Sequence, residues 1–175
     1  MFDLTKKTKK VLYYFIEYPE DRIHLRDIAR KLNISSSTAK LALEDLKKKE
    51  LILEEKIANL RMFKSNRESI KFKEIKKLIN LEEINSLIQN IKGKTNIISL
   101  VLFGSYAKGT NTEKSDIDLL LISNKKIHIE TKLHKKEINL LQYKPYEWKE
   151  KIKKDIPFHK EVIETGIVLE GTKPE

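Results

Sequence analysis

One stretch, LFGSYAKGTNTEKSDIDLLLI from Leu102 to Ile122, constrains this chain more than any other. The apolar run 97–103 ends in Gly104-Ser105, and its length and glycine bound predict a buried strand. A polar loop follows. Two aspartates one residue apart, Asp116 and Asp118, then open a second apolar run. Glycine lets a backbone come close to a ligand, and Ser105 adds a hydroxyl donor. The chain after them is expected to start a short helix whose free N–H groups would face an anion. Lys108 can neutralise phosphate charge, and Gly109 permits the turn back.

Side chains at i and i+2 of a strand point to one face. Two carboxylates so placed repel, and they stay ionised together when a cation lies between them. Mg²⁺ is the hard, oxygen-seeking ion that suits carboxylates plus a polyphosphate. The layout is therefore a Gly-Ser turn that grips phosphate, facing an aspartate pair that holds metal. Metal-assisted phosphoryl or nucleotidyl transfer is the chemistry such a site serves.

The order strand, Gly-Ser, helix, loop, Asp-x-Asp, strand resembles the nucleotidyltransferase superfamily that includes DNA polymerase beta. It looks most like the minimal nucleotidyltransferases of prokaryotes. The motif stands here as Gly104-Ser105 and Asp116-Ile117-Asp118. The resemblance implies that Asp116 and Asp118 ligate Mg²⁺ and take part in catalysis. It implies that Gly104, Ser105 and Lys108 bind the nucleoside triphosphate. The family also has a third carboxylate on a later strand, which completes the metal site and helps activate the incoming hydroxyl. The candidate strand is KKEINLLQY, 135–143. In its hydrophobic frame the expected aspartate falls on Asn139. Glu137 lies two residues earlier on the same face. Asparagine ligates metal weakly and takes no proton, so this departure bears directly on catalysis.

The N-terminal third reads differently. Val11, Leu12, Phe15 and Tyr18 recur at helical spacing before Pro19. Leu25, Ile28, Ala29 and Leu32 mark a second, short helix. Ser35 is a suitable N-cap for a third, with Ala39, Ala42, Leu43 and Leu46 as one apolar stripe. Two strands are expected at 51–57 and 60–64, around Ala58-Asn59. Short helices joined tightly read as a helix-turn-helix, and the strand pair as a wing. Ser36, Ser37, Thr38 and Lys40 open the third helix, and hydroxyls and a lysine there suit phosphates and base edges in a major groove. Arg61 and Lys64 of the wing would reach the adjacent DNA backbone. This block resembles the winged-helix domains of prokaryotic transcriptional regulators. That resemblance implies duplex DNA as partner and a homodimer.

Between the two, periodic apolar residues from Ile75 to Ile91, with no Pro or Gly before Gly93, predict one or two helices, the second from near Leu81. The expected fold class is α+β in two domains. A winged helix-turn-helix spans 1–67 and a helical connector 68–92. A small α/β nucleotidyltransferase fold with a short mixed sheet spans 93–175, its packing helix from about 81.

Charge and composition narrow the partners. The net charge is +10, and all five arginines lie at or before Arg67. Arginine is the better residue for phosphate and base-edge recognition, so the N-terminal part is the expected nucleic-acid end. No cysteine is present, which excludes disulfides and thiolate chemistry. No apolar run nears the roughly 20 residues that span a bilayer, and the N-terminus lacks a signal-peptide core. A cytoplasmic protein with no membrane partner is expected. Minimal nucleotidyltransferases often act as antitoxins, so the resemblance also implies a partner toxin protein as acceptor. A second reading keeps both domains without catalysis. It is a transcriptional regulator whose nucleotidyltransferase-like domain senses nucleotide or dimerises, and Asn139 is the residue that favours it. A third has the basic N-terminal domain hold structured RNA for modification.

Overall fold

The computed structural model describes residues 4–174. Residues 1–3 and 175, which the expected domain ranges include, lie outside the described part. Internal contacts divide the chain into two units, Met1–Lys76 and Lys77–Glu175.

The first unit opens with α1, Lys6–Glu17, capped by the Thr5 hydroxyl, which accepts from the Thr8 N–H at 3.1 Å. A short strand β1, Arg22–His24, leads into α2, Leu25–Lys31, and then α3, Ser36–Lys48. The Ser35 hydroxyl caps α3 by accepting from the Thr38 N–H, as its position in the sequence predicts. Strands β2, Ile52–Ile57, and β3, Leu60–Ser65, form the wing, with Ala58 at φ 51° in the turn. The sheet order is β1-β3-β2, all antiparallel. Val11, Phe15, Ile28, Ala39, Leu43 and Leu46 are buried, which is the apolar face that the helical spacing marks. The sequence reading has no counterpart to β1. It is three residues long, too short for an alternating pattern to register.

The helix α4, Ile70–Glu83, crosses the boundary between the units, and α5, Asn85–Lys92, follows it. The break falls at Ile84 and not near Leu81. The Ile84 N–H still bonds to the Asn80 carbonyl at 3.1 Å, so Leu81 lies inside the first helix. No glycine or proline marks the site of the break, which is why periodicity alone misplaces it.

The second unit contains β4, Ile97–Phe103; α6, Gly104–Lys108; β5, Ile117–Ser123; β6, Lys132–Leu133; and β7, Lys136–Tyr143. After them come α7, Pro145–Lys154; α8, Ile156–Thr165; and β8, Ile167–Gly171. The sheet order is β6-β7-β5-β4-β8. The β5/β7 pair is parallel and the other pairs are antiparallel, giving the mixed sheet expected. Strands β4 and β5 are buried on both faces. Leu100, Leu102, Leu119 and Leu121 pack with Leu87 and Ile91 of α5. The alternate residues Val101, Phe103, Leu120 and Ile122 pack with Trp148 of α7 and Val162 of α8. Near-continuous apolar runs in β4 and β5 follow from this sandwiching. Both strands run their site-bearing ends, Phe103 and Asp118, to one edge. No helix among the described residues is long and apolar enough to cross a membrane.

Candidate functional site

The turn after β4 and the aspartates before and within β5 meet at one point. Gly104 has φ +69°, a conformation that costs a side-chain-bearing residue strain. A Cβ at Gly104 would stand 2.5 Å from Asp118 Oδ2. Two independent requirements therefore select glycine: the left-handed backbone and the carboxylate packed against it. Ser105 follows, half-buried, in the first turn of α6. Gly109, at φ 67°, ends that helix.

The loop that returns to Asp116 is held from beneath. Asn80 Nδ2 donates to the Tyr106 carbonyl at 2.9 Å and to Asn111 Oδ1 at 2.9 Å. Both asparagines are buried. Buried amides satisfied this way fix a loop in one conformation. The Thr112 N–H bonds to Ser115 Oγ at 2.9 Å one step before Asp116. Sequence reasoning missed Asn80 and Asn111. A signal existed for the first: Asn80 continues the buried i, i+4 row of Phe72 and Lys76 on α4, a polar residue on an inward stripe.

Asp116 lies one residue ahead of β5 and is exposed, whereas Asp118 is partly buried within it. Burial pushes the Asp118 carboxyl up from its ordinary value, and the charges of Asp116 and Glu161 push it further. A hydrogen bond from Asn139 pulls the other way. The parallel register places Asn139 directly beside Asp118, and its Nδ2 donates to Asp118 Oδ1 at 3.1 Å. Asn139, the position that the hydrophobic frame of β7 singles out, thus lies beside Asp118. Glu137, also exposed, pairs with Lys132 of β6 in the ladder and shares the Asn139 face by the two-residue period. Among the described residues, no three or more His, Cys, Asp or Glu side chains group to hold a metal. What is present is an aspartate pair whose charges oppose each other, with no ion pair to either carboxylate among the described residues. That donor set fits a divalent cation whose remaining ligands are phosphate oxygens.

Lys108 does not stand free. Its Nζ pairs with Glu161 Oε1 of α8 at 2.5 Å, with both side chains about 40% exposed. Glu161 escaped sequence reasoning because its partner is 53 positions away.

In the first unit, Ser36, Ser37 and Lys40 are exposed on α3. Thr38 shares a hydroxyl contact of 2.8 Å with Ser35. The wing cations are engaged within the unit. Arg61 forks to Glu54 of β2 and reaches Glu44 of α3 at 2.8 Å, while Lys47 of α3 meets Glu54 at 2.7 Å. Lys64 pairs with Glu55 at 2.6 Å.

Residues 81–169 match the family model for a nucleotidyltransferase domain, and residues 4–52 that for a winged helix-turn-helix DNA-binding domain. A candidate protein adenylyltransferase of Methanocaldococcus jannaschii is 37% identical over 95 residues, covering 50% of this chain and 91% of that protein. A second candidate protein adenylyltransferase of the same organism is 48% identical over 42 residues. That match covers 23% of this chain and 29% of the relative, so the chain spans under a third of it. Among solved structures, MepR, a transcription regulator of the Staphylococcus aureus multidrug efflux pump MepA, is 26% identical with a TM-score of 0.42. It covers 51% of this chain and 67% of its own.

Proposed function

Because the chain belongs to the nucleotidyltransferase domain family and carries a winged helix-turn-helix ahead of that domain, we propose that it binds duplex DNA and transfers a nucleotidyl group from a nucleoside triphosphate to a hydroxyl. The observation that supports this reading is the contact at Gly104: the Gly-Ser turn lies against the Asp118 carboxylate, 2.5 Å from where a Cβ at Gly104 would stand. The acceptor class proposed is a hydroxyl of a partner protein, in keeping with the names of the relatives. An antitoxin-like role toward a partner toxin, with the protein working as a homodimer on its operator, is the biological form of this proposal.

Bound Mg²⁺, held by Asp116, Asp118 and phosphate oxygens, would supply charge neutralisation of the triphosphate. The protein's own groups do the rest. The backbone N–H groups after Gly104 and the Ser105 hydroxyl hold phosphate oxygens. Lys108 turns from Glu161 toward the triphosphate. Asn139 keeps Asp118 oriented through its amide. The acceptor oxygen attacks the α-phosphorus, its proton leaves to a base, and pyrophosphate departs with the electron pair of the broken P–O bond. Asn139 cannot take that proton, so Glu137 on the same face is the group assigned to receive it.

The test uses the full chain with Mg²⁺ and ATP, GTP, CTP or UTP labelled at the α-phosphate, read by label transfer to protein in a lysate of cells that make it. Asp118→Ala should lose transfer by at least two orders of magnitude, as removal of a transition-state charge partner does, and should retain DNA binding. Transfer that persists in Asp118→Ala would show the site assignment to be wrong.

A second reading rests on one contact. The hydrogen bond from Asn139 to Asp118 satisfies a partly buried carboxylate without metal, as a nucleotide-sensing or purely structural domain would require. The protein would then be a transcriptional regulator without catalysis.

A further inference from the structure

The helix that presents the Gly-Ser turn cannot hold itself. α6 is five residues long, far too short to be stable on its own hydrogen bonds, and its last carbonyls need partners from outside the helix. The Ser105 carbonyl accepts from the Thr110 N–H at 3.0 Å. From the same turn the Tyr106 carbonyl receives a long bond of 3.4 Å, from the Gly109 N–H. Its short bond comes from Asn80 Nδ2 of α4, 2.9 Å away and 26 positions earlier in the chain.

The same amide also holds the return loop. Asn80 Nδ2 donates to Asn111 Oδ1 at 2.9 Å, and Asn111 Nδ2 donates back to Asn80 Oδ1 at 3.4 Å. A carbonyl only accepts, so Tyr106 fixes which end of the Asn80 amide faces it, and Asn80 in turn fixes Asn111. Asn80 is 2% exposed and Asn111 6%, so neither can trade its partner for bulk water. Between Asn111 and Asp116 the chain is tied into a turn. The Thr112 N–H donates to Ser115 Oγ at 2.9 Å, and the Ser115 N–H to the Thr112 carbonyl at 3.2 Å. Lys136 of β7 donates to that same carbonyl at 2.8 Å. A segment braced in this way passes the position of Asn111 on to Asp116.

We propose that Asn80 is a positioning residue: it sets the spacing between the Gly-Ser turn and Asp116, and through it the affinity for a Mg²⁺-bound nucleoside triphosphate. The proposal rests on the nucleotide-binding reading above. A triphosphate whose oxygens meet the turn and whose metal meets the aspartates spans both halves of the site, so it binds well only when they stand at one distance. Asn80 bonds to both halves at once, to α6 behind the turn and to the loop ahead of Asp116. Leucine has the branched shape of asparagine and would make neither bond.

The experiment uses the full chain with Mg²⁺ and ATP, GTP, CTP or UTP, whichever the parent binds most tightly. Calorimetry gives the affinity, and hydrogen exchange follows the backbone amides of 104–116 with and without nucleotide. In Asn80→Leu the dissociation constant should rise about tenfold, as the loss of a buried hydrogen-bonding group does. Asn111→Leu spares the bond to the Tyr106 carbonyl and should lose about threefold. In both variants exchange should quicken across 104–116 and keep the parent rate in β4 and β5, and saturating nucleotide should restore it. Thermal melting confirms that each variant folds. Should Asn80→Leu unfold, Asn111→Leu decides alone. Unchanged affinity in a variant whose 104–116 amides have quickened overturns the proposal. So does weakened affinity with exchange in 104–116 unaltered, or quickened through β4 and β5 alike, since that is a loss of the fold and not of spacing. A parent that binds none of the four nucleotides overturns the nucleotide-binding reading and the proposal with it, and it shows before any variant is compared.

Discussion

Glu161 holds the Lys108 ammonium at 2.5 Å, and the triphosphate of the proposed function would compete for it. Glu161 also adds negative charge beside Asp118, so it disfavours an anionic ligand twice over. Replacing Glu161 by Gln frees the lysine and removes that charge. A pair this exposed is worth at most about 1 kcal/mol, so Mg²⁺·ATP should bind about fivefold more tightly to Glu161→Gln by calorimetry. Weaker binding would mean that Glu161 positions Lys108 for the nucleotide and does not compete with it. Asn139 poses the complementary question. Asn139→Asp would put a third carboxylate beside Asp118, in the register already present. The catalytic reading expects transfer to rise at most severalfold from a measurable parent rate. Activity appearing only in the variant would establish the parent as a sensor. The alternation within 135–143 singles out this position from sequence alone, whereas its place beside Asp118 comes from the pairing of β5 with β7. Glu161 was not, since nothing in α8 announces a partner on α6.

At the scale of elements, the wing is tied to α3 by charge. Arg61 and Lys47 both bond Glu54, with Arg61 also reaching Glu44. Hydrogen bonds from Arg61 and then Lys47 hold the Glu54 carboxyl down to about 2, against an ordinary 4.5. A depressed carboxyl contributes stability that is present above the unfolded value and is lost as pH falls through the folded one. The window is therefore about pH 4.5 down to about 2. Glu54→Gln should cost about 0.5–1 kcal/mol at neutral pH, discounted for solvent screening, and nothing once pH nears the lower bound. Denaturant melts of parent and variant across that range check it. A difference that stays constant with pH would remove the network as cause. The same elements divide by how they were written. α3, β4 and β5 follow from stripes and apolar runs longer than a turn. β1 does not, because its pairing with β3 and not local propensity sets it, and the break at Ile84 carries no side-chain cap that a sequence reading could use. The ion pairs of Arg61 and Lys64 likewise lie across strands and were invisible to a reading that saw only exposed cations near a wing.

For the whole molecule, the two proposed readings differ in whether nucleotide and DNA would be read by one equilibrium or two. Lysine and arginine excess makes salt the first variable to fix, since each phosphate contact changes the slope of log affinity against log salt by about one. At fixed salt, an enzyme that merely carries a DNA-binding domain should hold duplex DNA with the same affinity, within about twofold, in the presence and absence of Mg²⁺·ATP. A sensor must couple the two. Its DNA affinity should shift by roughly 5- to 150-fold, and DNA should shift ATP affinity by the same factor, because binding linkage is reciprocal. Fluorescence anisotropy of labelled duplex and calorimetry of ATP measure the two sides of that cycle. Lys40→Ala calibrates the first by weakening DNA alone, Asp118→Ala the second by weakening nucleotide alone. An unshifted cycle with each variant silent on the other ligand is the expected result for a transferase. A closed cycle with a common factor would instead make the Asn139–Asp118 pair the mark of a regulator that kept its nucleotide pocket and gave up the chemistry.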